Sequence, residues 1–134
     1  MSWDVLVLDL AGAAPSEVDF GADFKPHSMG NAGEVRARIS RHLRAVDWSD
    51  PTWGVYEGDG FSFEFNMGKE EEASSFMVHV RGGGDAVASL MRFVAPNGWS
   101  LFDCTTGEFI DAANPSDEGW KAFQGFRDTV IKGY

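Results

Sequence analysis

The sequence predicts an α+β domain with a largely antiparallel sheet, and two observations carry that prediction. Strand-like segments outnumber helix-like ones, in the order β-α-β-β-β-α-β-β-α. The strand-like segments 52–57, 61–67 and 75–81 also follow one another without an intervening helix, which is typical of an antiparallel meander. We expect the helices to lie mainly on one face of this sheet, which leaves the other face partly open.

The length and composition indicate one folded domain that spans residues 1–134. The chain has 134 residues, a usual size for a single domain. Hydrophobic residues make up 43% of it, so a sizeable core is expected and disorder is not.

The first strand is predicted at residues 3–10. Its apolar residues point to both faces, which is typical of a strand inside a sheet rather than at its edge. A long connection, residues 11–30, follows. Its aromatic residues Phe20 and Phe24 indicate that it packs against the rest of the chain.

Three segments carry helix signals. Residues 31–46 have apolar positions at helical spacing, with Asn31 as the N-cap. A second helix is predicted at about 85–95, with Asp85 capping its start, and a third begins after Ser116 as N-cap.

The segment between the first helix and the meander is predicted to be a turn. It contains Asp50 and Pro51, which favour a turn, and two tryptophans, Trp48 and Trp53. We expect these rings either to fill the core at a helix–strand junction or to lie at an interface. A second hairpin is predicted from 99–103 and 107–111.

The charge balance limits the partners. The net charge is −10, which argues against non-specific nucleic-acid binding and against docking on an anionic membrane. A basic protein partner fits this charge. The acidity is uneven, because residues 34–44 carry four arginines whereas residues 103–118 hold five acids and no Lys or Arg.

The localisation expected from the sequence is cytoplasmic. Cys104 is the single cysteine, so no internal disulfide can form, and this fits a reducing compartment. The N-terminal apolar run lacks a basic segment before it and is interrupted by Asp4 and Asp9, so we interpret it as a strand rather than a signal peptide.

The candidate site lies on two strands of the meander. In 61–67 and 75–81, apolar residues alternate with polar ones. If the apolar faces coincide, the opposite face carries Glu64, Asn66, His79 and Arg81. The acidic loop between the strands, with Glu70, Glu71 and Glu72, extends this surface.

Two registers satisfy this alternation. Pairing Phe65 with Val78 sets Glu64 opposite His79, whereas pairing Phe65 with Phe76 sets Ser62 opposite His79. Both keep Glu64, His79 and Arg81 near one another. We interpret the group as a binding surface.

Two alternatives remain open at this point. The first is an enzyme that uses Glu64, His79 and Arg81 for acid–base chemistry in a cleft under residues 11–30. The second is a homo-oligomer, a homodimer for example, that associates through an edge strand or through Trp48 and Trp53.

Other chemistry has weak support in the sequence. Acidic neighbours, Asp103 and Glu108, are expected to raise the pKa of the Cys104 thiol, which is the opposite of what a nucleophile needs. The three histidines, His27, His42 and His79, lack metal-ligand spacing. The glycine run 82–84 lacks the phosphate-binding motifs. We therefore predict no catalytic residue, no metal and no cofactor.

Several stretches carry a resemblance to known proteins. They are WDVLVLDL, DWSDPTWG, FSFEFN, SFMVHVRGGGDA and GWSLFDCTTGEFID. The chain resembles small acidic α+β proteins of bacteria and is loosely similar to the immunity proteins of toxin systems. That resemblance implies a protein without catalysis that binds and blocks a toxin.

Overall fold

The computed structural model describes residues 2–21, 23–111 and 114–131. Its elements are β1 (Trp3–Leu8), β2 (Gly30–Asn31), α1 (Ala32–His42), β3 (Asp47–Asp50), β4 (Trp53–Glu57), β5 (Phe61–Asn66), β6 (Glu72–Ala73), β7 (Ser75–Gly82), α2 (Ala86–Val94), β8 (Ser100–Asp103), β9 (Glu108–Ile110) and α3 (Glu118–Ile131). A single 3₁₀ turn, Pro15–Glu17, lies in the connection between β1 and β2.

Seven of the strands form one sheet in the order β3-β4-β5-β7-β1-β8-β9, and every neighbouring pair is antiparallel. β1 lies between β7 and β8, so the predicted interior strand is confirmed. The short strands β2 and β6 pair separately and attach the start of α1 to the loop between β5 and β7. The α+β class, the largely antiparallel sheet and the order of the predicted elements are those that the sequence predicts, and β2, β3 and β6 are additional strands.

One face of the sheet carries the core. Trp3, Val5 and Val7 of β1 are fully buried, as are Phe63 and Phe65 of β5. Val35 and Ile39 of α1 and the buried residues of α2 belong to the same apolar cluster. Since side chains alternate along each strand, the residues between these positions point to the other face.

The third helix closes one end of this core. The Trp120 ring packs against that of Trp3, with 5.5 Å between centroids, and its Nε1 donates to the carbonyl of Gly84 at 3.0 Å. The absence of a side chain at Gly119 allows α3 to approach the buried Asp103 closely, because a Cβ there would lie 2.0 Å from Asp103 Oδ2. The helix begins at Glu118, whose backbone N–H donates to the predicted capping residue Ser116 at 3.3 Å.

The segment after α1 differs from the sequence prediction. The helix begins after Asn31 as predicted but ends at His42, not at 46. Asp47–Asp50 then forms the edge strand β3, where only a turn was expected, and the turn follows it. Trp48 is the physical reason, because its ring packs on Phe65 and fixes the segment alongside β4.

Aspartate side chains of β3 accept hydrogen bonds from backbone N–H groups in and next to the strand. Asp47 Oδ1 accepts from the backbone N–H of Ser49 at 2.8 Å, and Asp50 Oδ1 accepts from that of Thr52 at 2.9 Å. Trp48 Nε1 donates to Ser40 Oγ at 2.9 Å, which ties the strand to α1.

Gly54 provides a test of this packing. A Cβ at Gly54 would lie 2.4 Å from the Trp48 ring, so Gly54→Ala must displace that ring from Phe65. We expect the free energy of unfolding to fall by about 1–3 kcal/mol in chemical denaturation.

Gly125→Ala in α3 is the matched control. Nothing lies within 4 Å of a Cβ there, so we expect a gain of about 0.5–1 kcal/mol, from helix propensity alone. Equal stability of Gly54→Ala and the wild type would contradict the packing assigned to Trp48.

Candidate functional site

The face of the sheet opposite the helices, called the open face below, carries the candidate site. The side chains that alternate with the core positions form it, and they include Asp4, Leu6, Trp53, Val55, Glu57, Glu64, Asn66, Met77, His79, Arg81, Phe102 and Phe109. They are exposed or half-buried. The face therefore presents side chains from six adjacent strands.

The register between β5 and β7 is the first of the two that the sequence allowed. Phe65 pairs with Val78, so Glu64 lies opposite His79 and Ser62 lies opposite Arg81. The apolar sides of both strands meet on the core side, as the pleat requires in either register.

Glu64 is held by two partners. Arg81 Nε donates to its Oε1 at 2.5 Å, and Trp53 Nε1 donates to its Oε2 at 3.1 Å. The hydrogen bond from Arg81 is the main reason that the pKa of Glu64 lies below its usual value, and it outweighs the effect of partial burial. The carboxylate is thus ionised at neutral pH, with a partner on each oxygen.

His79 is bound to a residue that the sequence analysis did not place in the site. Its Nδ1 lies 2.7 Å from Asp4 Oδ1, and Ser2 Oγ donates to the same oxygen at 2.6 Å. Burial alone would raise the pKa of Asp4, but the hydrogen bonds from Ser2 and His79 outweigh it and lower that pKa. The alternation in β1 indicates from the sequence that Asp4 lies on the face opposite Trp3 and Val5. The sequence does not indicate that His79 of β7 is its neighbour.

The two tryptophans of the turn segment lie on opposite faces of the sheet. Trp48 faces the core side, whereas Trp53 lies on the open face and stacks on the His79 ring, with 5.5 Å between centroids and 23° between planes. Trp53 thus touches both Glu64 and His79 and fixes their relative positions.

The acidic loop borders the polar half of the open face. A depression of about 410 Å³ is lined by Leu6, Asn66, Met67, Gly68, Lys69, Glu70, Glu72, Ala73, Ser74, Ser75, Phe76 and Met77. Glu72 Oε1 accepts from Ser28 Oγ at 2.6 Å, and the carbonyl of Glu71 accepts from the N–H of Ala32 at 2.7 Å. The exposed carboxylates are therefore carried by an anchored loop.

The other half of the open face is apolar, which the sequence analysis missed. Leu6 lies between Met77 and Phe102 across the strands, and Phe102 lies beside Phe109. Phe20, from the long connection, stacks on Phe109 with 5.2 Å between centroids. The alternation in 100–103 could have indicated from the sequence that Phe102 points away from the core. The sequence does not indicate that β8 lies next to β1.

This arrangement limits the acid–base chemistry of Glu64. Glu64 and His79 face each other across the strands, yet Glu64 bonds Arg81 and Trp53 while His79 bonds Asp4. A carboxylate that is ionised and bonded on both oxygens is a poor proton donor or acceptor at neutral pH. Glu64 is therefore a fixed polar contact rather than a free acid or base.

Cys104 lies at the edge of the open face. Its Sγ is 3.9 Å from Met77 Sδ. Cys104 is an exposed residue, but partial desolvation of its thiol is the main cause of a raised pKa, and the charges of Asp4 and Asp103 add to it. The predicted direction is confirmed, with Asp4 in the place that the sequence analysis gave to Glu108.

Within residues 2–21, 23–111 and 114–131, no group of three or more His, Cys, Asp or Glu side chains is placed to hold a metal ion. His27, His42 and His79 lie in a connection, in α1 and in β7. Over the same ranges, every helix is too short or too polar to cross a membrane.

Comparison of the chain with protein-family models, with curated proteins and with solved structures found no match.

The pKa of Glu64 leads to a pH prediction. Folding lowers the pKa of the Glu64 carboxyl from its ordinary value of 4.5. Such a carboxylate stabilises the native state fully at pH values above the pKa of the unfolded chain. This contribution is lost as the pH falls through the pKa of the folded state. We expect the wild type to lose more free energy of unfolding than Glu64→Gln between about pH 6 and about pH 3, by roughly 0.2–1 kcal/mol. Urea titrations at each pH measure this, and equal losses would contradict it.

Cys104 leads to a second prediction. Since the pKa of its thiol is raised, less thiolate is present at about pH 8 than in an unfolded chain. We expect iodoacetamide to modify the native protein more slowly than the urea-unfolded protein, by about threefold or more, with Asp4→Asn partly restoring the rate. A native rate equal to the unfolded one would contradict the raised pKa of this thiol.

Proposed function

We propose that this chain is a non-catalytic cytoplasmic binding protein that docks a basic protein partner on the open face, and that the partner is a toxin which the binding neutralises. One observation carries the proposal. A row of side chains crosses six adjacent strands on the face that lacks helices: Trp53, Asn66, Met77, Leu6, Phe102 and Phe109. Aromatic residues and methionine of this kind are enriched at protein interfaces.

The charge of the surface supports a basic partner. Asp4, Glu57 and Glu64 lie on the open face with Arg81 as the base beside them, and the Glu70–Glu72 loop borders it. The chain as a whole has a net charge of −10. Such a surface speeds association with a cationic partner at low ionic strength.

The rigidity of the surface supports binding too. Trp53 is fixed by its contacts with Glu64 and His79, and His79 is fixed by Asp4. Side chains that are already ordered lose little entropy when a partner docks, so more of the contact energy appears as affinity.

The alternatives receive less support from the same contacts. The acid–base enzyme considered from the sequence would use Glu64 as an acid or base, and Glu64 has both oxygens occupied. An oligomer through both tryptophans is disfavoured because Trp48 packs toward Phe65 in the core.

Charge reversal at Glu64 tests the proposal. We expect the immobilised wild type to retain one stoichiometric basic protein from a lysate of the organism that encodes it, and to release it at about 1 M salt, where screening is strong. Glu64→Lys removes the Arg81 pair and reverses a charge within the surface, so retention should fall by about tenfold or more.

Glu34→Lys is the matched control. It also separates a carboxylate from an arginine, Arg38 at 3.0 Å, and changes the net charge equally, but on α1. Retention of the partner by Glu34→Lys and its loss by Glu64→Lys would support the open face as the docking surface. Equal loss in both, or no retained basic protein, would contradict the proposal.

A further inference from the structure

An apolar pocket lies at the β9 end of the open face. Its volume is about 440 Å³, and it is lined by Leu6, Leu8, Phe20, Phe24, Phe102, Gly107 and Phe109. The rings touch one another: Phe20 to Phe24 at 4.7 Å, Phe20 to Phe109 at 5.2 Å and Phe102 to Phe109 at 5.0 Å between centroids. Apart from Gly107, every lining side chain is hydrocarbon.

This pocket is separate from the core. The core side chains of β1 are Trp3, Val5 and Val7, whereas Leu6 points to the opposite face. Phe20 is 43% exposed, which is unusual for a large aromatic ring that only fills the interior. The connection that carries Phe20 and Phe24 thus forms one wall of a surface pocket.

The size and lining suit one large apolar group. Binding pockets in proteins start at about 300 Å³ and are lined mainly by hydrophobic and aromatic residues. Tryptophan and tyrosine are enriched among the interface residues that contribute most to binding energy, and these residues often lie in well-packed pockets. Their rings pack favourably against other rings in edge-to-face or offset geometry.

The charges around the pocket select what flanks that group. Asp19 and Asp23 are exposed next to Phe20 and Phe24, and Glu108 is exposed next to Phe109. Lys25 is the one Lys or Arg in the connection 11–30, and residues 103–118 contain neither. Lysine or arginine beside an inserted ring would meet these carboxylates.

The pocket is continuous with the polar half of the open face. Leu6 lines both the pocket and the depression that contains Met77 and Asn66. From β7 to β9 is three strand spacings, about 14 Å in all. About four or five extended residues cover that distance, so one segment of a partner can reach both halves.

We propose that this pocket is the anchor site of the open face and takes one aromatic side chain of the basic partner, flanked by Lys or Arg. The inference rests on the binding function proposed above and adds the chemistry that the partner must present. A second copy of this chain would bring a further net charge of −10 to the same acidic surface, and this like-charge repulsion disfavours it as the occupant.

Short peptides test the anchor directly. The probe is acetyl-Lys-Lys-Trp-Lys-Lys-amide, titrated into the ¹⁵N-labelled protein and followed by NMR chemical shifts. We expect saturable shifts at Leu6, Phe102 and Gly107, with an affinity about tenfold or more above that of the same peptide with Ala in place of Trp. The peptide with Glu in place of Lys should bind about tenfold more weakly as well.

Two variants locate the binding. Phe20→Ala combined with Phe24→Ala removes the wall contributed by the connection and leaves the sheet intact, and it should weaken the Trp peptide by about tenfold. Phe126→Ala is the control, because Phe126 is 59% exposed on α3, outside the pocket, and should leave the affinity unchanged.

Several outcomes would overturn the anchor. They are equal binding of the Trp and Ala peptides, shifts confined to the helical side, or a dimer in light scattering that the double variant abolishes. A partner lost by Glu64→Lys but retained by the double variant would remove the anchor and leave the proposed function standing. If no partner is retained while the Trp peptide still binds the pocket, the proposed function fails and the site remains.

Discussion

The strict alternation of side chains in the three central strands, β5, β7 and β1, is the constraint on which the rest of the structure depends. Phe63 and Phe65 face the helices, and Glu64 between them faces away. A slip of one residue would exchange the two faces and bury Glu64 among the phenylalanines. The burial that drives folding therefore also fixes the partners of every outward side chain.

That constraint divides the open face into two halves. β4, β5 and β7 supply the polar half, in which Trp53, Glu64 and His79 hold one another in place. β8 and β9, with the long connection, supply the apolar half around Phe102 and Phe109. Leu6 and Met77, at the middle of the sheet, join the two.

Local patterns were enough for much of the fold and for part of the site. The alternation in β5 and β7 predicted which residues share a face, and the caps at Asn31 and Asp85 follow from side-chain chemistry. The Asp4–His79 contact joins residues 75 positions apart and depends on β1 lying next to β7, which no local pattern encodes.

The same reason explains what the sequence analysis missed elsewhere. The strand β3 contains Asp and Ser, which favour turns, and it forms because Trp48 packs on Phe65 of a strand further along the chain. The apolar pocket needs Phe20 to meet Phe109, from segments that only the folded chain brings together. Tertiary packing, rather than propensity, decides both.

The edges of the sheet carry a consequence for how the molecule meets other chains. At β3 the carboxylates of Asp47 and Asp50 engage the amides of Ser49 and Thr52, and at the far side β9 is only three residues long. Neither margin offers a long row of free backbone donors and acceptors for strand addition, the route by which sheets grow into filaments. A partner that binds the face of the sheet leaves the protein dispersed in a crowded solution. Strand addition at the sheet edges would instead lead to aggregation.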